Sequence, residues 1–148
     1  VGGGQASCLL APLVGRQAGL LLADTARYAE KQLFVAQCGV DSARIAAIGG
    51  IEARGVDLWA ERERVLDLLT EAGKNLLAVG RVQVLLLGCL SFLGLAHPLS
   101  ERLGVPVVDP AVAPVALAEC LVRQGLKTSR KAYPAPPLRK RTWQSGQL

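Results

Sequence analysis

Residues 82–100 read VQVLLLGCLSFLGLAHPLS, and their reading decides the fold. Nineteen residues without a formal charge are long enough to span a bilayer as one helix. The stretch is interrupted, however, by Gln83, Gly88, Gly94, His97 and Pro98, and its apolar core Val84-Leu85-Leu86-Leu87 closes on a glycine. This pattern predicts a buried strand over 82–87, a turn, and a short helix over 93–103 stopped by Gly104. A non-membrane domain follows.

Outward from that strand, short aliphatic runs alternate with longer amphipathic segments. Helices are expected over 6–14, 25–38, 58–79 and 111–124. Strands are expected over 18–23 (AGLLLA), 43–48 and 105–108. Pro106 places the last of these at a sheet edge or at a strand start. Continuous aliphatic strands between helices imply a parallel sheet covered on both faces, an α/β three-layer domain of the Rossmann or flavodoxin type. The domain is expected over 1–125, with a strap and a basic tail over 126–148.

Composition supports one such domain. The 148 residues include 26 Leu, 15 Val and 3 Ile, which excludes a disordered chain and supplies a core. Charge is uneven. Residues 1–122 hold ten Lys/Arg against twelve Asp/Glu, whereas 123–148 hold seven Lys/Arg and no acid. The body therefore has no basic stripe for nucleic acid, and Arg139-Lys140-Arg141 with Trp143 reads as a solvated C-terminus. Cys8, Cys38, Cys89 and Cys120 form no CxxC, and His97 is the only histidine, so a zinc site is not expected. With no basic segment and no long apolar run at the N-terminus, reduced thiols in the cytoplasm are expected.

In parallel sheets ligands bind where strands end, which directs attention to Gly88-Cys89. A cysteine at a strand-to-helix turn lies near backbone N–H groups that stabilise a thiolate. A small buried hydrophobe is the alternative, and position alone leaves both open. Cys8, Cys38 and Cys120 fall within or at the ends of amphipathic helices, and burial is expected for each.

From 82 to 137 the ordered set VLLLGCLSF, LSERLGVPVVDPAVAPVALAE and GLKTSRKAYPAPP resembles the aspartate/glutamate/hydantoin racemase superfamily, its hydantoin or allantoin branch in particular. Upstream, GGGQAS (2–7) resembles that family's G-E-A-S segment, and GRQAGLLLADTAR (15–27) its next strand and substrate loop. The resemblance implies the second half of a pseudo-symmetric fold plus a C-terminal strap. It also implies an isomerase that uses no metal or other cofactor. One cysteine thiolate removes a hydrogen beside a carbonyl and a second thiol returns it from the opposite face, in a hydantoin or amino-acid derivative. Cys89 maps to the second family cysteine. The resemblance implies substrate contacts at Ser7, Asp24, Thr25, Gly88, Leu90 and Ser91.

The departures are specific. Family members are considerably longer, and their first cysteine lies upstream of the segment at which this chain begins. Cys8 falls inside the helix after GQAS and does not replace it. Leu90-Ser91-Phe92 stand where the family favours a small residue and Gly, and the usual Thr pair is blurred to Leu22-Ala23-Asp24-Thr25. These features lead to the expectation of a truncated racemase-like chain that is inactive alone. The alternative is a non-catalytic remnant or interaction subunit. Besides a small-molecule substrate, the expected partner is a second copy or a missing N-terminal half. An apolar face is then expected beside 1–7 and 105–137.

Overall fold

The aliphatic blocks at 18–22 and 84–87 offer solvent no polar side chain, so each must be covered on both faces. The computed structural model describes residues 1–39, 41–53 and 55–135. In it these blocks are β1 (Ala18–Leu22) and β3 (Val84–Leu87), both buried along their whole length. β2 (Ile45–Gly50) flanks β1 and β4 (Val107–Val108) flanks β3, giving the all-parallel order β2-β1-β3-β4. The expected parallel α/β class holds, with residues 84–87 near the sheet centre. Pro106 immediately precedes the edge strand, where its carbonyl still accepts from the Leu85 amide at 2.9 Å.

The two-residue period of the strands sorts their side chains into two cores. Leu21, Leu85 and Leu87 pack with Val65, Leu69 and Leu76 of α3 (Arg62–Ala78) and Leu99 of α4 (Ala96–Leu103). Leu20, Leu22, Val84 and Leu86 pack with Cys8 and Ala11 of α1 (Gly3–Val14) and Val35 of α2 (Tyr28–Gln37). The last helix, α5 (Val112–Arg123), lies against α1. The result is helix, sheet, helix in three layers.

Several boundaries differ from the sequence expectation, and short acidic side chains account for three of them. The Asp57 carboxylate accepts from the amides of Trp59 and Ala60, forming a turn where a helix from 58 is predicted, so α3 begins at Arg62. Asp24 accepts from the Ala26 amide, and a single 3-10 turn (Thr25–Arg27) precedes α2. Asp41 likewise accepts from Ala43, delaying β2 to Ile45. The turn expected after β3 is a 3-10 turn (Leu90–Phe92), and α4 begins at Ala96 rather than at 93. Gly104 ends α4 as predicted, with φ +70° and its N–H donating to Ser100 O at 2.8 Å.

Cys8 and Cys38 are buried as expected, whereas Cys120 is exposed. It lies on α5, where Val112, Val115 and Val122 are also more than half exposed among the described residues. Residues 127–135 are exposed and carry one turn closed by Tyr133 N–H to Ser129 O. Arg139, Lys140, Arg141 and Trp143 lie outside the described residues. Among the described residues, no helix is long and apolar enough to cross a membrane.

Candidate active site

The carboxyl ends of β1 and β3 meet because Leu21 pairs with Leu87, and the Gly88 amide continues the ladder to Leu21 O at 2.7 Å. Gly88 is required there: a Cβ would stand 2.8 Å from Leu22 Cδ2 and 2.9 Å from the Leu21 carbonyl oxygen. The chain then leaves the sheet at Cys89, whose φ of −133° and ψ of 133° keep it extended before the 3-10 turn. Cys89 is half-buried and packs against the α3/α4 core.

Beside this strand end is a cavity of about 180 Å³ between the sheet, the start of α1 and α2. Of the residues predicted from sequence, Ser7, Gly88 and Leu90 line it. Ser7 is buried and its Oγ donates to Gly3 O at 3.0 Å. The side chain of Cys89 is not part of the lining, although its two chain neighbours are. Ser91 lies one turn further on, its carbonyl accepting from Arg62 Nη1 at 3.2 Å. Asp24 and Thr25 sit past the end of β1. Asp24 is engaged with the Ala26 amide, and Thr25 Oγ1 donates to the Glu52 carboxylate. They are near the same sheet edge and outside the cavity.

Sequence reasoning did not single out Lys31, Phe34 or Pro110 for this cavity, all of which line it. Lys31 Nζ lies 5.5 Å from the Phe34 ring centroid, a pairing that its three-residue spacing on α2 allows. Gly3 and Gly4 line the same wall and leave no room for side chains. A Cβ at Gly3 would be 2.4 Å from Pro110 O, and one at Gly4 2.5 Å from Phe34 Cε1. The run Gly2-Gly3-Gly4 was the available signal.

Cys8 is the one cysteine in the lining. Burial pushes its thiol up to about 12, and the neighbouring Cys38 adds to the rise. At neutral pH it is a protonated thiol. Among the described residues, no cluster of three His, Cys, Asp or Glu side chains is arranged to hold a metal ion.

The family model described as Asp/Glu/hydantoin racemase matches residues 1–118. The chain belongs to this family. A hydantoin racemase of Paenarthrobacter aurescens is 38% identical over 84 residues, covering 55% of this chain and 36% of that protein. One from Pseudomonas sp. (strain NS671) is 37% identical over 82 residues, covering 55% and 33%. Among solved structures, allantoin racemase from Klebsiella pneumoniae superimposes with a TM-score of 0.83 at 23% identity, covering 97% of this chain and 59% of that one. Allantoin racemase from Pseudomonas fluorescens gives 0.73 at 26% identity, covering 95% and 60%. This racemase-family chain therefore spans less than two thirds of the length of these relatives.

Proposed function

We propose that this chain carries one acid/base half-site of a cofactor-independent racemase, with Cys89 as the group that exchanges a proton with a carbon beside a carbonyl. The observation that carries the reading is the position of Cys89. It is the first residue to leave the central strand β3 after Gly88, at the sheet edge where the cavity opens. Gly88 and Leu90 bracket it at the cavity wall, and the turn amides supply donors for a substrate oxygen on which negative charge develops. The substrate class proposed is a hydantoin or amino-acid derivative, and the compartment the cytoplasm. Ser7, Asp24, Thr25 and Ser91 are the further residues proposed to contact substrate, as the strand ends are shared.

A second reading, a non-catalytic family remnant, draws on one specific observation. Inversion needs two opposed groups, and Cys8, the one cysteine in the cavity lining, is held protonated by burial. Deuterium uptake at the α carbon of a 5-substituted hydantoin, and separately of aspartate, distinguishes the two. Uptake that disappears in Cys89→Ser supports the half-site. Uptake that persists in Cys89→Ser removes Cys89 from the role, and no uptake in either protein favours the remnant.

A further inference from the structure

The turn that carries Cys89 is gripped from two sides. Arg62, the first residue of α3, reaches across with its guanidinium fork. Nη1 donates to Ser91 O at 3.2 Å and Nη2 donates to Leu93 O. The guanidinium also lies over the Trp59 ring, its carbon 5.1 Å from the ring centroid. From the other side Asp109, at the end of β4, accepts from the Gly94 amide through Oδ2 at 2.8 Å. Its Oδ1 accepts from the amides of Ala111 (2.8 Å) and Val112 (3.3 Å) at the start of α5. Between these grips Phe92 is fully buried, and its amide donates back to Cys89 O at 3.1 Å.

A turn of this length does not need a charged group from each of two distant segments simply to close. Its own 3-10 bonds, Phe92 to Cys89 and Leu93 to Leu90, already do that. The two charges act instead on where the turn sits relative to the sheet edge. Charge-assisted hydrogen bonds hold such a geometry more firmly than neutral ones, and acid/base chemistry is sensitive to displacements of about 1 Å.

We propose that Arg62 and Asp109 are positioning residues for Cys89, clamping segment 89–94 so that the thiol is held at the carboxyl edge of β3. The importance of that position rests on the reading of Cys89 as the acid/base group. The clamp itself is measurable without turnover.

Asp109→Asn separates positioning from stability. The asparagine Oδ1 keeps the Ala111 and Val112 amides, while its Nδ2 meets the Gly94 N–H donor to donor. Arg62→Lys keeps the charge, but a single ammonium does not replace the planar fork across two carbonyls. The test is the iodoacetamide alkylation rate of each cysteine in the 148-residue chain, resolved by mass spectrometry across neutral to alkaline pH. Exposed Cys120 serves as reference and buried Cys8 as a reporter of global opening. Both variants, and Arg62→Gln, are expected to raise the Cys89 rate about tenfold, the effect of one lost hydrogen bond to a charged group. The rates of Cys8 and Cys120 stay at wild-type values. An unchanged Cys89 rate would overturn the proposal. So would a Cys89 rate that rises only together with that of Cys8, because the residues would then serve the fold alone. If the clamp holds while Cys89→Ser has no effect on deuterium uptake, the racemase reading fails and the clamp stands.

Discussion

The amide of Gly88 donates to the carbonyl of Leu21 at 2.7 Å, which extends the β1–β3 ladder one residue past β3. That bond fixes the point at which Cys89 leaves the sheet, and the lack of a side chain at 88 makes it possible. Gly88→Ala would push a methyl group to 2.9 Å from the Leu21 carbonyl oxygen and 2.8 Å from Leu22 Cδ2. Overpacking of this kind costs about 1–3 kcal/mol. Urea unfolding of Gly88→Ala is expected to show a loss in that range, with the midpoint lowered and the slope unchanged.

Phe92 is the largest of the fully buried side chains and sits in the α3/α4 core at the base of the Cys89 turn. Phe92→Ala is expected to destabilise the fold by about 3–5 kcal/mol, the range for a buried aromatic truncated to alanine. Thermal unfolding followed by circular dichroism checks it. A shift no larger than that of an exposed substitution such as Leu13→Ala would mean that the turn does not depend on this anchor.

Alkaline pH should weaken the fold through Cys8. Its thiol lies at about 12 in the folded chain, against an ordinary value of 9.0. A raised pKa means that the native state holds its proton where the unfolded state has released it. The stabilisation is therefore complete below about 9 and is lost progressively as pH rises from 9 toward 12. Denaturant midpoints on either side of pH 9 should fall more steeply for wild type than for Cys8→Ala. Parallel curves would contradict the burial of this thiol.

The sheet was legible because AGLLL and VLLL have no polar side to expose, and because Pro106 and Gly104 punctuate the chain near its edge strand. The turns at Asp24, Asp41 and Asp57 were not, since a helical pattern of apolar residues does not reveal that a nearby carboxylate has captured the local amides. Cys89 was singled out from its place after a strand, and it does follow β3 directly after Gly88. Lys31, Phe34 and Pro110 were missed because they reach the cavity from other elements and are brought there only by packing. Cys120 was expected inside because it falls within an amphipathic helix, yet among the described residues nothing buries it.

Among the described residues, one exposed face of α5 groups Val1, Val115 and Val122 with Glu119 and Arg123. A two-fold pairing of α5 helices would bury the valines and set Glu119 of one copy near Arg123 of the other. The chain is therefore expected to self-associate at tens of micromolar, about the range of a modest interface, and Val115→Glu/Val122→Glu to restore the monomer. Sedimentation of the two proteins side by side is the check, and a monomeric wild type would refute the pairing.

The central claim is that this chain supplies one acid/base thiol, Cys89, and no opposed partner. Polarimetry and deuterium uptake recorded on the same sample of an enantiopure 5-substituted hydantoin test it most directly. A single group that removes and returns the proton on one face exchanges it with solvent and retains configuration. The account predicts deuterium uptake without loss of optical rotation in wild type, and neither in Cys89→Ser. Loss of rotation at the rate of uptake by the purified 148-residue chain, abolished in Cys89→Ser, would contradict it by showing that a second group already acts on the opposite face.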